Sequence, residues 1–211
     1  MIHKTSFGFA IWTAAVAVSA CAALCNGCQP DPRDPQRGGS DLSPSAPKGA
    51  TPMKLTVTST AFLEGQPIPK KYSGEGQDVS PPIAWADIPN GVRELALICD
   101  DPDAPTPEPW VHWVICKIPA GSNGLPEGLP RTPRLTVPVG AVQGRNSWSS
   151  GDAIGYRGPM PPPGRPHHYH FSVYALDFEL SVEPGLDKKT LWKAMQGHIL
   201  AEGRLTGTYQ R

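Results

Sequence analysis

The sequence predicts a mainly β domain, antiparallel in its pairing and carrying a peripheral helix, behind an N-terminal export and tether region. Three observations carry this expectation. Gly (22) and Pro (26) supply 48 of 211 residues, a density at odds with a long helical bundle. Short β-branched and apolar runs are separated by long proline-rich segments, and only one late segment spaces its apolar residues for a helix. Charge narrows the function classes: 19 Lys and Arg balance 19 Asp and Glu, so the chain lacks the basic footprint of a nucleic-acid binder. An apolar fraction of 39% fills one modest core.

Residues 1–20 read as an export signal. Lys4 precedes the uncharged run from Phe7 to Val18. Those 12 residues make a helix of roughly 18 Å, short of the ~30 Å hydrocarbon core. The run ends Val18-Ser19-Ala20-Cys21, which resembles a bacterial lipobox, so Cys21 is the expected lipidation site and Cys28 the second candidate. Cys25 and Cys28 form a C-x-x-C, but no βαβ pattern surrounds them and no redox role is expected. Residues 21–52 then form the lipid-attachment region and tether. From Gln29 to Pro52 there are six prolines and one large apolar residue, Leu42, too little to offset chain entropy. The expected location is therefore exported and membrane-anchored, on the periplasmic or cell-surface side.

The folded domain is expected over residues 53–211. Met53 to Thr58 alternates as a half-buried strand does. Leu95 to Cys99 reads as a strand buried on both faces, and Val111 to Ile118 and His167 to Leu176 read likewise. Helical spacing appears only in Asp187 to Leu200, where Leu191, Met195 and Ile199 recur four apart and Asp187 is a suitable N-cap. The remainder reads as turns and loops. Cys99 and Cys116 are expected as buried thiols, with a bridge between their strands as the alternative.

Chemistry concentrates in three places. Asp100-Asp101-Pro102-Asp103-Ala104-Pro105 follows a buried strand, and its three carboxylates need compensation, as capped turn groups or as a rigid loop aiming carboxylates into a cavity. Trp110-Val111-His112-Trp113 opens the next strand, and alternation puts His112 on the apolar face of Val114, Cys116 and Ile118. Gly155 to Phe171 is a Pro/Gly loop delivering three histidines and a tyrosine onto a strand. There alternation sends His167 and Tyr169 to the more apolar face and His168 and His170 to the other.

A zinc site from His168, His170 and an Asp lacks a full ligand set, so no metal is expected. Asp101 with His112 or His167 has the form of an acid–base pair, but no nucleophile signature accompanies it, and no catalytic residue is expected. Imidazoles, a phenol and glycine N–H groups together suit a small hydrogen-bonding receptor for phosphate or carboxylate.

In this order, DPDAP, the inward His112, GPxPP (Gly158 to Pro162) and PHHYHF resemble the phosphatidylethanolamine-binding protein family. The bacterial Raf-kinase-inhibitor-like branch is closest in motif, since SPPIAW (Ser80 to Trp85) and LTGTYQR (Leu205 to Arg211) also correspond. The resemblance implies two packed antiparallel sheets with Greek-key connections, one or two peripheral helices and no cofactor. It further implies an anion pocket formed by Asp101, Asp103, Trp110, His112, Gly158, Pro159, His167 and Tyr169. Phosphate-like groups and phospholipid head groups are the implied ligands.

Two positions depart from the pattern: His168 stands where many relatives have Arg, which removes a permanent cation near the acidic loop, and Met160 stands where bacterial relatives often have Cys. The leading expectation is a lipid-anchored binding protein for a small anion, phosphate ester or phospholipid head group. The rival is a protein-interaction module that inhibits a protease or another enzyme.

Overall fold

The computed structural model describes residues 51–149 and 153–211. The expected export signal, the Cys21 anchor and the tether up to residue 50 lie outside the described residues. The strands are β1 (Met53–Lys54), β2 (Thr56–Thr58), β3 (Ile83–Ala86), β4 (Glu94–Asp101), β5 (Trp110–Pro119), β6 (Gly124–Leu125), β7 (Val142–Gln143), β8 (His167–Leu176) and β9 (Ile199–Tyr209). One helix, α1 (Lys188–Met195), and one 3-10 turn, Lys70–Tyr72, accompany them among the described residues.

Two sheets pack face to face. The larger runs β1-β9-β8-β4-β5-β7 and the smaller β2-β3-β6. After the β4–β5 hairpin and β7, the chain crosses back to lay β8 on the far side of β4, the return that defines a Greek key. One edge departs from the antiparallel expectation, because β1 pairs with β9 in parallel. The expected strand of residues 53–58 is in fact two strands. Leu55 donates its N–H to Glu202 in the large sheet, at 2.8 Å, and the next residue already pairs with β3 in the small one.

The large sheet is covered on both faces, which explains why β4 reads as a continuous apolar run. Leu95, Leu97, Trp113, Ile115, Phe171 and Val173 pack against Leu55, Ile83, Trp85 and Leu125 between the sheets. On the other face Ala96, Ile98, Val114, Cys116 and Tyr174 pack under Leu191 and Met195 of α1. Cys99 belongs to the first cluster and Cys116 to the second, on opposite faces, and both are free thiols.

Helix α1 starts where expected: the Asp187 side chain accepts from the Thr190 N–H at 2.7 Å. It ends earlier than the apolar spacing suggests. Gly197 adopts φ 80°, and Ile199 and Leu200 belong to β9 instead. That strand was hidden by its own glycines. A Cβ on Gly207 would sit 2.5 Å from Ile68, so the residue is small because another segment lies against the strand.

The register of β4 with β5 decides where His112 points. Cys99 faces Trp113 and Asp100 faces Val111, so His112 is the extra residue of a bulge. Strict alternation would place it with Val114 and Cys116, beneath α1. The bulge instead turns it to the side of Tyr169, whose ring centroid lies 5.0 Å away.

Candidate functional site

Three strand ends meet at one end of the large sheet. Asp101 closes β4, Trp110 and His112 open β5, and His167 and Tyr169 open β8. Antiparallel pairing of β4 with both neighbours makes this convergence automatic. All five side chains line one cavity of about 270 Å³, completed by Ala104 to Thr106, Trp148 and Met160 to Pro162.

Asp101 is buried and fully engaged. Its Oδ2 lies 2.8 Å from His167 Nδ1, and its Oδ1 accepts the Asp103 N–H at 2.8 Å. Tyr169 is 1% exposed, and its hydroxyl, close to the Asp101 carboxylate, makes no hydrogen bond of good geometry. Burial first, and then the neighbouring Asp101 carboxylate, through its charge and its hydrogen-bonding contact with the phenol, push the phenol well above its ordinary value, so it remains a donor.

His112 donates its Nδ1 hydrogen to the Arg157 carbonyl oxygen at 2.6 Å. Burial drives its pKa down to about 4, although that hydrogen bond and the charges of Asp101, Asp100 and Asp78 act in the opposite sense. Its ring stands edge-on to Trp148, at 5.1 Å, as well as to Tyr169. The loop that supplies the Arg157 carbonyl is fixed from below. Asp78 pairs with Arg131 at 2.6 Å and Arg157 at 3.1 Å, and its other oxygen accepts the Gly158 N–H at 2.6 Å.

Three residues expected in the lining are placed elsewhere. Asp103 turns outward, accepting from the His168 N–H at 2.9 Å and His168 Nδ1 at 2.6 Å, with Arg165 at 3.4 Å. His168 therefore holds the acidic loop, although it stands in place of the arginine many relatives carry there. Gly158 and Pro159 serve the loop rather than the cavity. A Cβ on Gly158 would lie 2.2 Å from the Tyr72 carbonyl oxygen, and the Pro159 carbonyl accepts the Gly74 N–H at 2.9 Å. Sequence reasoning missed Trp148, Asp78 and Arg157. Trp148 rides an aperiodic loop, and Asp78 and Arg157 have no local pattern, so only the tertiary fold unites them.

Among the described residues no lysine or arginine lines the cavity, whereas Asp101 does. A unit anion placed ~5 Å from a carboxylate is opposed by about 3 kcal/mol at an effective dielectric near 20. A second hollow of about 500 Å³ lies beside the start of α1, with Arg145, Lys188 and Lys189 set against Glu108 and Asp187. None of the buried unpaired polar atoms among the described residues belongs to its lining. Among the described residues, the Tyr169 hydroxyl is the buried donor that lines a cavity without a hydrogen bond of good geometry.

Comparison with known proteins agrees with this architecture. The family model for phosphatidylethanolamine-binding protein matches residues 58–210. A UPF0098 protein of Methanothermobacter thermautotrophicus is 47% identical over 157 residues, 74% of this chain and 99% of that relative. A UPF0098 protein of Chlamydia muridarum is 42% identical over 161 residues, again 74% of this chain and 99% of the relative. Among solved structures, a putative phosphatidylethanolamine-binding protein homologue from Chlamydia trachomatis matches with TM-score 0.65 and 40% identity, covering 75% of this chain and 98% of its own. E. coli YbcL matches with TM-score 0.69 and 32% identity, covering 75% and 99%. With its two-sheet architecture and a family match spanning most of its length, the chain belongs to the phosphatidylethanolamine-binding protein family.

Proposed function

We propose that this protein is an exported, lipid-anchored binding protein whose Tyr169 cavity receives a small oxyanion such as a phosphate ester. It binds and does not catalyse. The observation that carries the reading is the buried Tyr169 hydroxyl, a donor whose contact with the Asp101 carboxylate falls short of full hydrogen-bond geometry, inside a cavity already walled by a structured Asp101–His167 pair and by His112. An oxygen acceptor from a guest would satisfy it, and leaving such a group unmet costs roughly 1–3 kcal/mol. The export signal, the Cys21 lipobox and the proline-rich tether support a location outside the cytoplasm, with the domain held away from a membrane.

The test is thermal unfolding of the full chain with and without millimolar phosphate, phosphoethanolamine and acetate, in wild type and His167→Ala. A ligand at ~100 times its dissociation constant adds about 2.7 kcal/mol and raises the midpoint by several degrees. A phosphate-dependent rise that His167→Ala removes is the expected result. No shift with any of the three ligands overturns the reading and favours a protein-interaction module, in which substitutions in surface loops, not in the cavity, abolish function.

A further inference from the structure

Alternate residues at the start of β5 serve two different cavities. Trp110 and His112 line the Tyr169 cavity, whereas Pro109 and Val111 line the hollow of about 500 Å³ beside α1, and the two share no lining residue. Three segments wall that hollow, and hydrogen bonds hold them. Val111 donates its N–H to Ser147 Oγ at 2.8 Å, and Ser147 returns its own N–H to the Val111 carbonyl oxygen at 2.9 Å. Arg145 donates its N–H to the Leu186 carbonyl oxygen at 2.8 Å, just before the cap of α1. The buried Asn146 uses both ends of its amide, donating to the Gly155 carbonyl oxygen and accepting from the Trp148 N–H, each at 3.0 Å. The hollow is therefore a fixed feature of the fold.

Its walls offer a guest apolar surface and charge. Trp192 is 43% exposed and is the one aromatic among the large apolar residues exposed in the described chain. Its ring stands edge-on to Tyr174 at 5.7 Å, which holds it in the lining with Pro109 and Val111. Lys188 is already paired with Asp100, and Asp187 caps the Thr190 N–H. Arg145, Lys189 and Glu108 are exposed, and among the described residues none of the three has an ion-pair partner within 4.0 Å. The two cations are neighbours: the Asp187 carboxyl is held below its ordinary value first by its hydrogen bonds with Thr190 and then by the charges of Lys189 and Arg145. Glu108 belongs to a separate segment, the loop that leads into β5.

We propose that the hollow is a second binding site, for short free peptides, whose C-terminal carboxylate pairs with Arg145 and Lys189, whose N-terminal ammonium pairs with Glu108 and whose apolar side chain lies on Trp192. The inference stands apart from the anion reading of the Tyr169 cavity. Size agrees with it, since a sphere of that volume is ~10 Å across and the ends of an extended dipeptide are about 7 Å apart. A bare anion gains little here, because the Asp187 charge stands beside both cations and offsets them. A neutral apolar guest covers Trp192 and leaves the three charges unpaired. A molecule with both signs and an apolar group meets the whole lining, and a free peptide is the simplest chemistry that does so. An amino acid carries the same groups with its charges only ~3 Å apart, so it tests the span between the segments.

Nuclear magnetic resonance of the isotope-labelled full chain tests this through the indole N–H signal of Trp192, assigned by its loss in Trp192→Phe. The probes are leucyl-phenylalanine, its N-acetyl form, its C-terminal amide, glycyl-glycine, phenylalanine and phosphoethanolamine. Leucyl-phenylalanine is expected to shift the signal saturably, and each blocked form to bind about tenfold more weakly as a charge-assisted contact is lost. Glycyl-glycine is expected to lose about tenfold or more through the missing apolar contact. Phenylalanine and phosphoethanolamine are expected to bind more weakly than the dipeptide. Exposed side chains supply variants that keep the fold: in Glu108→Gln the acetyl form and the free dipeptide should bind alike, and in Arg145→Gln with Lys189→Gln the amide and the free dipeptide should. An unmoved Trp192 signal with leucyl-phenylalanine, or blocked forms that bind wild type as well as the free dipeptide, overturns the inference. Phenylalanine or phosphoethanolamine binding as tightly as the dipeptide overturns the assignment to peptides.

Discussion

His112 donates to the Arg157 carbonyl oxygen over 2.6 Å, and this one bond ties the β5 wall of the cavity to the loop that closes it. Two local irregularities make it available. A bulge in β5 turns His112 away from the face beneath α1, and Asp78, itself at φ 55°, gathers Arg131, Arg157 and the Gly158 N–H beneath the loop. The imidazole is consequently both buried and fixed in tautomer, with Nδ1 protonated.

The first prediction concerns the titration of that ring. Its folded pKa, about 4, lies below the ordinary histidine value, so the unfolded chain binds the proton more readily. Stability from this group is complete above pH ~6.5 and is lost as pH falls through about 4, in all roughly 3 kcal/mol. Nitrogen NMR of the imidazoles should show His112 as the neutral Nδ1–H form at pH 5.5. A His112 ring that titrates near 6.5 would contradict the burial argument.

Asp78→Asn tests the support beneath the loop. Removing the carboxylate takes away the charge that Arg131 and Arg157, both partly exposed, share, at a cost of roughly 1–3 kcal/mol. Asp78 does not line the cavity, yet the substitution loosens the Arg157 carbonyl and hence His112. Both the unfolding midpoint and phosphate affinity should fall. An unchanged affinity in a folded variant would show that the loop holds His112 without Asp78.

Much of this site is legible in the sequence because strand ends carry it. The alternation of β8 correctly separates His167 and Tyr169, which are buried, from His168, which is exposed. His112 reaches the cavity too, but not by the alternation that points it inward; a bulge supplies the turn, and single-strand periodicity contains no sign of a bulge. Asp103, Gly158 and Pro159 belong to the right loops and face the wrong way for lining, since motif membership records neighbourhood and not direction. In the fold, β9 is obscured by Gly203 and Gly207, which suppress strand propensity to let Leu55 and Ile68 approach. The parallel β1 edge depends on where the chain changes sheets, a tertiary choice invisible over six residues.

Gly158→Ala examines the role assigned to that loop glycine. Its Cβ would come within 2.2 Å of the Tyr72 carbonyl oxygen and 2.8 Å of Ser73 Cα, both backbone atoms that no rotamer change can move. The loop must shift, at a cost of roughly 1–3 kcal/mol, similar to overpacking elsewhere. Thermal unfolding should register the loss, whereas Gly164→Ala, which meets no atom within 4 Å, should lose less and only through its backbone angle.

Glu94 carries the last prediction, far from the cavity. It is 5% exposed at the start of β4, and its Oε1 has no partner. Burial, opposed by backbone hydrogen bonds and by Lys117, raises its carboxyl pKa to about 7. The folded state therefore binds the proton more tightly than the unfolded chain. Stability is complete below pH ~4.5 and falls as pH rises to about 7, by roughly 2–3 kcal/mol. Glu94→Gln keeps the shape and removes the charge. The variant should match wild type near pH 5 and exceed its unfolding free energy by about 2 kcal/mol at pH 8. Equal stability of the two proteins at pH 8 would mean that water or Lys117 already compensates the carboxylate, and that its burial carries no penalty.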